Sequence, residues 1–146
     1  MRIIQQKEPM SNKLSYTTIH SVDNDLELYK SAVLYYSSTR VLRGLNTSII
    51  RTQLINLLSL YLMYGYSKST RVMSEKALGI TEATVNTYNK NLRDLGYLVD
   101  DDMNKHHKHL NQELKDLKTA IDDAKGSANN IYLFHTVFAI KLNTNV

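Results

Sequence analysis

The sequence predicts a mainly helical fold with a small amount of β-structure. Its 146 residues include a single proline, so long stretches lack the residue that most strongly breaks a helix. Five stretches have the apolar content and spacing of helices, and a glycine ends or follows each of them. β-branched and aromatic residues concentrate instead near the two ends of the chain, within residues 13–22 and 131–142, where we expect strands.

Composition and charge are those of a folded, basic protein. Hydrophobic residues make up 42% of the chain and charged residues 22%, which are ordinary values for a folded domain. The formal net charge is +4; residues 1–99 carry 12 Lys and Arg against 7 Asp and Glu, and residues 100–146 carry 6 against 7. Contact with a polyanion is therefore permitted, and we expect it in the first of these segments. The absence of cysteine excludes disulfides, zinc fingers and cysteine nucleophiles.

The N-terminal sequence and the hydropathy predict a cytoplasmic protein that does not enter a membrane. After Ile3 and Ile4 the chain becomes polar, unlike a signal peptide. The most apolar stretch, residues 54–64, is about half as long as the roughly 20 residues that a membrane-spanning helix needs.

The first 22 residues are predicted to form an N-terminal arm, and residues 23–146 a single domain. The side chains of residues 13–22 alternate between two sets with a period of two, and β-branched and aromatic types are frequent among them, so this segment favours a short strand. The segment that precedes this strand is weakly patterned, and we expect it to lack regular structure.

Two helices are predicted at the start of the domain. Good N-cap residues at 23–25 and the apolar spacing after them predict a first helix over Asp25–Leu42. Arg40 and Arg43 in its last turn suit the negative end of the helix dipole, and contact with phosphate is the alternative. A second helix, capped by residues 46–48, is predicted over residues 49–64. This helix would be apolar on nearly every face, so we expect it to be central in the fold or buried at a subunit interface.

Two shorter helices follow, with a sharp turn between them. We expect helices over residues 70–78 and 81–95, joined by a turn at Gly79. Gly96 lies just past the last periodic residue, where a helix commonly ends, and residues 97–99 favour a strand. The apolar stripe of the later helix consists of Val85, Tyr88, Leu92 and Leu95.

A fifth helix is predicted over about residues 103–125, as an insertion between two paired strands. Apolar and histidine positions recur there at alternating spacings of four and three, which is a heptad pattern. This narrow seam could pack on the first helix of the same chain or on the same helix of a second chain. Residues 131–142 are then the strand expected to return and pair with 97–99. The seam consists of Met103, His107, Leu110, Leu114, Leu117, Ile121 and Ala124.

The segment between residues 72 and 99 resembles the winged helix-turn-helix DNA-binding superfamily. The residues that carry the resemblance are Leu78, Gly79 and Ile80 at the turn, Thr84 and Val85 in the next helix, and the run LRDLGYL at 92–98. It is similar to MarR-type regulators, plasmid replication proteins and small phage or plasmid repressors. The resemblance implies a helix-turn-helix at about 70–95 whose second helix enters the major groove, followed by a wing that touches the DNA backbone.

One position departs from this pattern. Such first helices usually have a small alanine where they pack closely on the second helix, and the chain has Ser74 and Glu75 near that position.

The predicted DNA contacts lie on two helices. Asn can pair with adenine, Thr can contact a thymine methyl group, and Lys or Arg can bind guanine or phosphate. The N-terminus of the preceding helix, with its hydroxyls and cations, could hold a phosphate. The alternatives are a polar solvent face and ordinary capping. The candidate residues are Lys68, Ser69, Thr70, Arg71, Thr81, Glu82, Thr84, Asn86, Thr87, Asn89, Lys90 and Arg93.

Metal, cofactor and catalytic sites are not predicted. On a helix, His106, His109 and Glu113 would share one face with Asp102 a turn earlier, but exposed helices often collect such residues. The sequence has no glycine-rich phosphate loop and no Ser, His and acid set at a recognisable turn, so we expect a protein that is not an enzyme.

The sequence therefore predicts a double-stranded DNA-binding protein, acting as a homodimeric transcriptional regulator of phage, plasmid or bacterial origin. A symmetric dimer on paired half-sites is the usual way in which a small reading unit gains affinity. The alternative is a structural or adaptor protein of a packaging or replication complex, because a fold alone does not fix function. No small-molecule effector can be inferred.

Overall fold

The computed structural model describes residues 2–7, 13–21, 24–101, 104–125 and 131–139. This part of the chain is mainly helical and contains five helices and two small antiparallel sheets. The helices are α1 (Asp25–Leu42), α2 (Thr52–Tyr64), α3 (Lys68–Leu78), α4 (Glu82–Asp94) and α5 (Gln112–Ala124). The strands are β1 (Arg2–Lys7), β2 (Lys13–Ser21), β3 (Leu98–Asp101), β4 (Asn104–Leu110) and β5 (Ile131–Ala139).

Helix α2 is central, as its apolar sequence predicts. It packs against α1, α3 and α5, so most of its apolar surface is buried within its own chain. Its side chains join those of α1, α4 and α5 in one hydrophobic core. The fully buried core residues include Leu28, Tyr29, Val33, Leu57, Leu58, Tyr61, Leu62, Leu92, Tyr97 and Leu114. No helix in the described ranges has the length and hydropathy to cross a bilayer.

The helix boundaries follow local capping chemistry. The prediction for α1 is confirmed, and Asn24 caps it by accepting a hydrogen bond from the backbone of Glu27 at 2.9 Å. Helix α2 begins three residues later than predicted. The backbone N–H of Ile50 donates to the Ser37 hydroxyl of α1 at 3.0 Å, which holds this segment outside the helix. Residues 46–48 therefore do not cap α2.

The prediction of a wing interrupted by a helical insertion is wrong. β3 pairs with β4 in a short hairpin, with Leu98 opposite Leu110, and α5 begins only after this hairpin. Residues 104–110 are mostly polar and fit a strand as well as a helix. Pairing them with the adjacent β3 closes a short loop, whereas pairing β3 with 131–142 would close a much longer one at a greater entropy cost.

The prediction of an unstructured N-terminal segment is also wrong. β1 pairs antiparallel with β2, and β5 pairs with the other edge of β2, in the order β1-β2-β5. The short strand predicted at 13–22 is confirmed as β2. The β-like run at 131–142 thus forms a strand, but its partner is near the N-terminus and not β3.

The heptad seam packs within the chain over α5. Leu114 and Ile121 are buried in the core and Leu117 packs against it, while Ala124 is exposed. Leu110 is also buried, but it lies on β4 and not on a helix. His107 lies on β4 and its side chain is outside the described part, as is Met103 altogether. Burial against α1 and α2 leaves these α5 leucines and isoleucine unavailable for a second chain.

Polar contacts fix α5 against α1. Lys118 donates to the Tyr29 hydroxyl at 2.7 Å, and that hydroxyl donates to Asp122 at 3.1 Å. Arg43 forms an ion pair with Glu113 at 2.7 Å. The hydrogen bond from Arg43 holds the pKa of the Glu113 carboxyl below its usual range, although partial burial opposes this shift.

Candidate nucleic-acid interface

Helices α3 and α4 are joined by a tight turn of three residues. Gly79 adopts a left-handed conformation with φ of 65°, and its N–H bonds back to the last turn of α3. The backbone N–H of Ile80 donates to the Glu75 carbonyl at 3.0 Å. Thr81 then caps α4 by accepting a hydrogen bond from the backbone of Thr84 at 3.2 Å. The turn and the cap lie where the sequence places them.

Ser74 allows α3 to pack closely on its neighbours at the position where the resemblance expects alanine. Its side chain is fully buried, and its hydroxyl donates to the Thr70 carbonyl one turn earlier at 2.7 Å. A serine whose hydroxyl is satisfied inside its own helix leaves no unpaired polar group in the packed interface. Serine in place of alanine at this position is thus compatible with close packing of α3.

The inner face of α4 includes one polar residue that the sequence predicts as a DNA contact, either facing outward or flanking the core. Val85 and Leu92 are buried, as predicted, but Asn89 is also only 3% exposed. Its Oδ1 atom accepts a hydrogen bond from the Tyr61 hydroxyl of α2 at 2.6 Å. Burial of Tyr61 raises the pKa of its hydroxyl, so this group remains a proton donor. The prediction of Asn89 as a DNA contact is wrong; the residue anchors α4 to α2.

Tyr61→Phe is expected to lower the free energy of unfolding by about 1–2 kcal/mol, because Asn89 would keep a buried acceptor without its donor. Tyr88→Phe is the matched control. Tyr88 is a half-buried tyrosine of α4, and its hydroxyl has no hydrogen-bond partner in the described part. Urea unfolding monitored by circular dichroism would measure both. Equal losses in the two variants would contradict the anchoring role of the Tyr61 hydroxyl.

The outer face of α4 is polar and lies open. Asn86 and Lys90 are exposed one turn apart, and neither has a hydrogen-bond or ion-pair partner among the residues that the structure describes. Thr87, next to Asn86, is also exposed, and its hydroxyl donates to the Ala83 carbonyl at 3.1 Å. The exposed residues of α4 and its cap are Thr81, Glu82, Ala83, Asn86, Thr87, Lys90, Arg93 and Asp94.

Besides Asn89 and Thr87, two further predicted contacts on α4 have side-chain partners within the chain. Thr84 is half-buried, and its hydroxyl lies 3.0 Å from that of the capping residue Thr81. Arg93 forms an ion pair of 3.0 Å with Asp100 of β3. This pair ties the hairpin to α4. Lys90 is thus the exposed cation of the outer face that has no carboxylate partner among the described residues.

The start of α3 offers fewer contacts than the sequence predicts. Ser67 is the N-cap residue, and its hydroxyl lies 3.0 Å from that of Thr70. Thr70 is buried, so it cannot reach a ligand in solvent, and that prediction is wrong. The Arg71 guanidinium lies over the Tyr66 ring at 5.5 Å and is half-buried. Lys68 and Ser69 remain exposed at the positive end of the helix dipole.

A buried arginine holds the C-terminal end of α4, at a position where the sequence favours contact with the helix dipole or with phosphate. Arg40 donates to the Leu95 carbonyl at 3.0 Å and to Asn46 at 2.6 Å. Asn46 itself donates to the same Leu95 carbonyl at 3.1 Å. The guanidinium also lies over the Tyr97 ring at 4.9 Å. Arg40 is therefore a structural residue, and it is not available to phosphate.

The signal for this role is present in the sequence. The apolar stripe of α1 passes through Tyr29, Val33 and Tyr36 at spacings of four and three, and the next position in that series is Arg40. A charged residue on the buried stripe indicates an internal polar network. Asn111 completes the network by donating to the Gly96 carbonyl at 3.0 Å.

The metal hypothesis depends on a helix that the structure does not contain. His106 and His109 lie on β4 and not on a helix, so the helical spacing that would bring them onto one face with Glu113 does not apply. Glu113 lies on α5 and pairs with Arg43 of α1. Within the described ranges, no group of three or more His, Cys, Asp or Glu residues lies together as metal ligands would.

Comparisons of the chain with models of protein families, with curated proteins and with solved structures found no match. Function must therefore be inferred from the residues of this chain.

Proposed function

We propose that the chain is a non-catalytic, sequence-specific double-stranded DNA-binding protein that inserts α4 into the major groove. The observation that carries the proposal is the outer face of α4. It presents an unpartnered amide, an exposed threonine and a free ammonium at neighbouring positions, Asn86, Thr87 and Lys90 of the described chain. These are groups that read adenine, the thymine methyl and guanine or phosphate at base edges.

The dimensions and rigidity of α4 suit this role. Its 13 residues span about 20 Å, and the major groove is about 12 Å wide and admits one helix. The inner face of α4 is fixed by Val85, Leu92 and the Tyr61–Asn89 hydrogen bond. A helix fixed on one face presents its other face without a further cost of ordering its backbone, which supports recognition.

The elements beside α4 supply candidate contacts to phosphate. The α3–turn–α4–hairpin order is consistent with the proposed winged helix-turn-helix, in which the hairpin β3–β4 would be the wing. Lys68 and Ser69 are exposed at the start of α3, and Lys108 of β4 lies opposite Asp100 in the hairpin. Such contacts fix the position of a protein on DNA without reading its sequence.

The biological role that we propose is that of a dimeric transcriptional regulator from a phage, a plasmid or a bacterium. The support is the resemblance of residues 72–99 to regulators of that kind. A site read by one short helix is small, so two copies on paired half-sites would supply the missing affinity and spacing.

Asn86→Ala and Lys90→Ala are each expected to weaken binding to a selected DNA site by about 1–2 kcal/mol, roughly five- to thirtyfold in Kd. The site would be found by selection from a random duplex library, and binding measured by fluorescence anisotropy. Both side chains are exposed, so the circular dichroism spectrum and thermal stability should not change.

Lys115→Ala is the matched control, because it removes an exposed lysine from α5, outside the α3–α4 unit. Its Kd should equal that of the unmodified protein. A salt titration separates the two roles: Lys90→Ala should reduce the slope of log K against log salt if Lys90 contacts phosphate, and Asn86→Ala should leave the slope unchanged. Unchanged affinity in both α4 variants would contradict α4 as the reading helix.

The adaptor role is favoured by the charge of the same face. Exposed Lys90 and Arg93 of α4 are balanced by exposed Glu82 and Asp94. A balanced face suits contact with another protein of a packaging or replication complex as well as contact with DNA. Absence of binding to random duplex DNA at low salt would favour this second role, since nonspecific DNA binding depends mainly on cations.

A further inference from the structure

An exposed apolar cluster lies at the α1–α2 connection. Five large apolar side chains of the described residues are strongly exposed, and three of them fall within eight residues: Leu42 at 56%, Leu45 at 49% and Ile49 at 46%. Single exposed apolar residues are normal on a protein surface, whereas a local group of them makes this connection a candidate interaction surface.

The cluster is held in place by hydrogen bonds from its own backbone and side chains. The backbone N–H of Leu45 donates to the Arg40 carbonyl at 2.9 Å, and that of Ile50 donates to the Ser37 hydroxyl at 3.0 Å. The Asn46 side chain donates to the Leu95 carbonyl at 3.1 Å. The connection is thus tied to both α1 and α4, so its apolar side chains are presented to solvent in a fixed arrangement.

An apolar cleft of about 290 Å³ adjoins the cluster. Its apolar lining comes from Ile49, Ile50, Leu54 and Leu95, so Ile49 belongs to both the cluster and the cleft. The surface therefore combines projecting leucines with a neighbouring recess that could receive leucines. Such an arrangement is what a two-fold symmetric interface requires, because each copy must offer both partners of every contact.

The charges at this cleft also provide both partners of a contact, as a two-fold interface requires. Arg51 and Asp94 both line it, and neither has an ion-pair or hydrogen-bond partner in the part of the chain that is described. Arg51 is the N-cap residue of α2 and makes no side-chain capping bond. One cation and one anion on the same patch are complementary to a second copy of that patch turned by 180°.

We propose that this surface, formed by Leu42, Leu45, Ile49, Arg51 and Asp94, binds a second copy of the chain in a two-fold dimer. Leu42 and Leu45 of each copy enter the cleft of the other, and each Arg51 pairs with Asp94 across the axis. The proposal rests on the proposed function for its purpose, the paired reading of two half-sites, but the dimer can be measured without DNA.

The test is a charge exchange, measured by size-exclusion chromatography with light scattering and by sedimentation velocity on the full chain. We expect the unmodified protein to be a dimer that dissociates on dilution. Arg51→Glu and Asp94→Arg each place like charges across the axis and should give monomers. The double variant, R51E/D94R, restores opposite charges and should recover the dimer. Leu45→Asp should give a monomer whose circular dichroism spectrum is unchanged.

Lys115→Glu is the control, since it reverses an exposed charge outside the patch and should leave the dimer intact. A protein that is monomeric at every concentration would overturn the proposal. So would a dimer that survives both single reversals and Leu45→Asp, because its interface would then lie elsewhere. A dimer without affinity for duplex DNA would refute the DNA-binding function and leave the interface standing. A monomer that binds DNA would refute the dimer and leave DNA binding through α4 standing.

Discussion

Arg40→Ala is expected to lower the free energy of unfolding by about 2–4 kcal/mol. Arg40 is a buried cation, and no carboxylate forms an ion pair with it in the described ranges. It is stabilised instead by neutral acceptors and by the ring of Tyr97. Its removal leaves the Asn46 oxygen without its donor and opens a cavity beside Tyr36 and Tyr97.

Arg43→Ala is the control for the Arg40 variant. Arg43 lies one turn later and pairs with Glu113, but both side chains of that pair are substantially exposed. The loss should therefore be below about 1 kcal/mol. Chemical unfolding of both variants at neutral pH would measure the difference. Similar losses for Arg40→Ala and Arg43→Ala would mean that the buried network contributes no more than a surface ion pair.

Arg40→Met separates packing from hydrogen bonding at the same position. Methionine fills part of the space and has no donor, so it would keep the packing against the aromatic rings but form none of the hydrogen bonds of the guanidinium. We expect its stability to lie between that of the alanine variant and that of the unmodified protein. Because the network ends on the Leu95 carbonyl, any loosening should appear first at the C-terminal end of α4, which amide hydrogen exchange would detect.

The helices were predictable from the sequence because their signals are local. The N-cap at Asn24, the left-handed glycine at position 79 and the Thr81 cap each depend on residues within one or two turns. The α3–α4 unit is thus placed nearly where the apolar spacing predicts it. The same locality explains why the exposed state of Asn86 and Lys90 follows from their positions opposite the apolar stripe.

Partners that are distant in sequence were not predictable in this way. Asn89 is polar and lies near the edge of the apolar stripe, and only the hydroxyl of Tyr61, 28 residues earlier, makes its burial favourable. The prediction of strand pairing was wrong for a related reason. Residues 104–110 satisfy the heptad spacing and also the pattern of a polar hairpin strand, and the choice depends on the adjacency of β3 and on the Asn111 cap that starts α5.

Gly96→Ala is expected to lower the free energy of unfolding by about 2–3 kcal/mol, from two separate causes. The backbone of Gly96 has φ of 90°, where a side chain costs about 1–2 kcal/mol. A Cβ atom at this position would also lie 2.7 Å from the Arg40 Nη2 atom, which must move away from the Leu95 carbonyl to make room.

Gly79→Ala isolates the first cause. Gly79 also has positive φ, at 65°, but a Cβ atom there would meet nothing within 4 Å, so only the backbone cost of about 1 kcal/mol should remain.

The second cause, the contact between the new Cβ atom and the Arg40 guanidinium, can be removed by substituting Arg40. In an Arg40→Ala background the guanidinium is absent, and Gly96→Ala should then cost no more than Gly79→Ala does. The losses of unfolding free energy caused by Arg40→Ala and by Gly96→Ala should therefore be less than additive in the double variant, because each substitution disrupts the same contact between Arg40 and the end of α4. Full additivity would show that Arg40 and Gly96 act independently, and the tie between α1 and the C-terminal end of α4 would then have to come from Asn46 and Asn111.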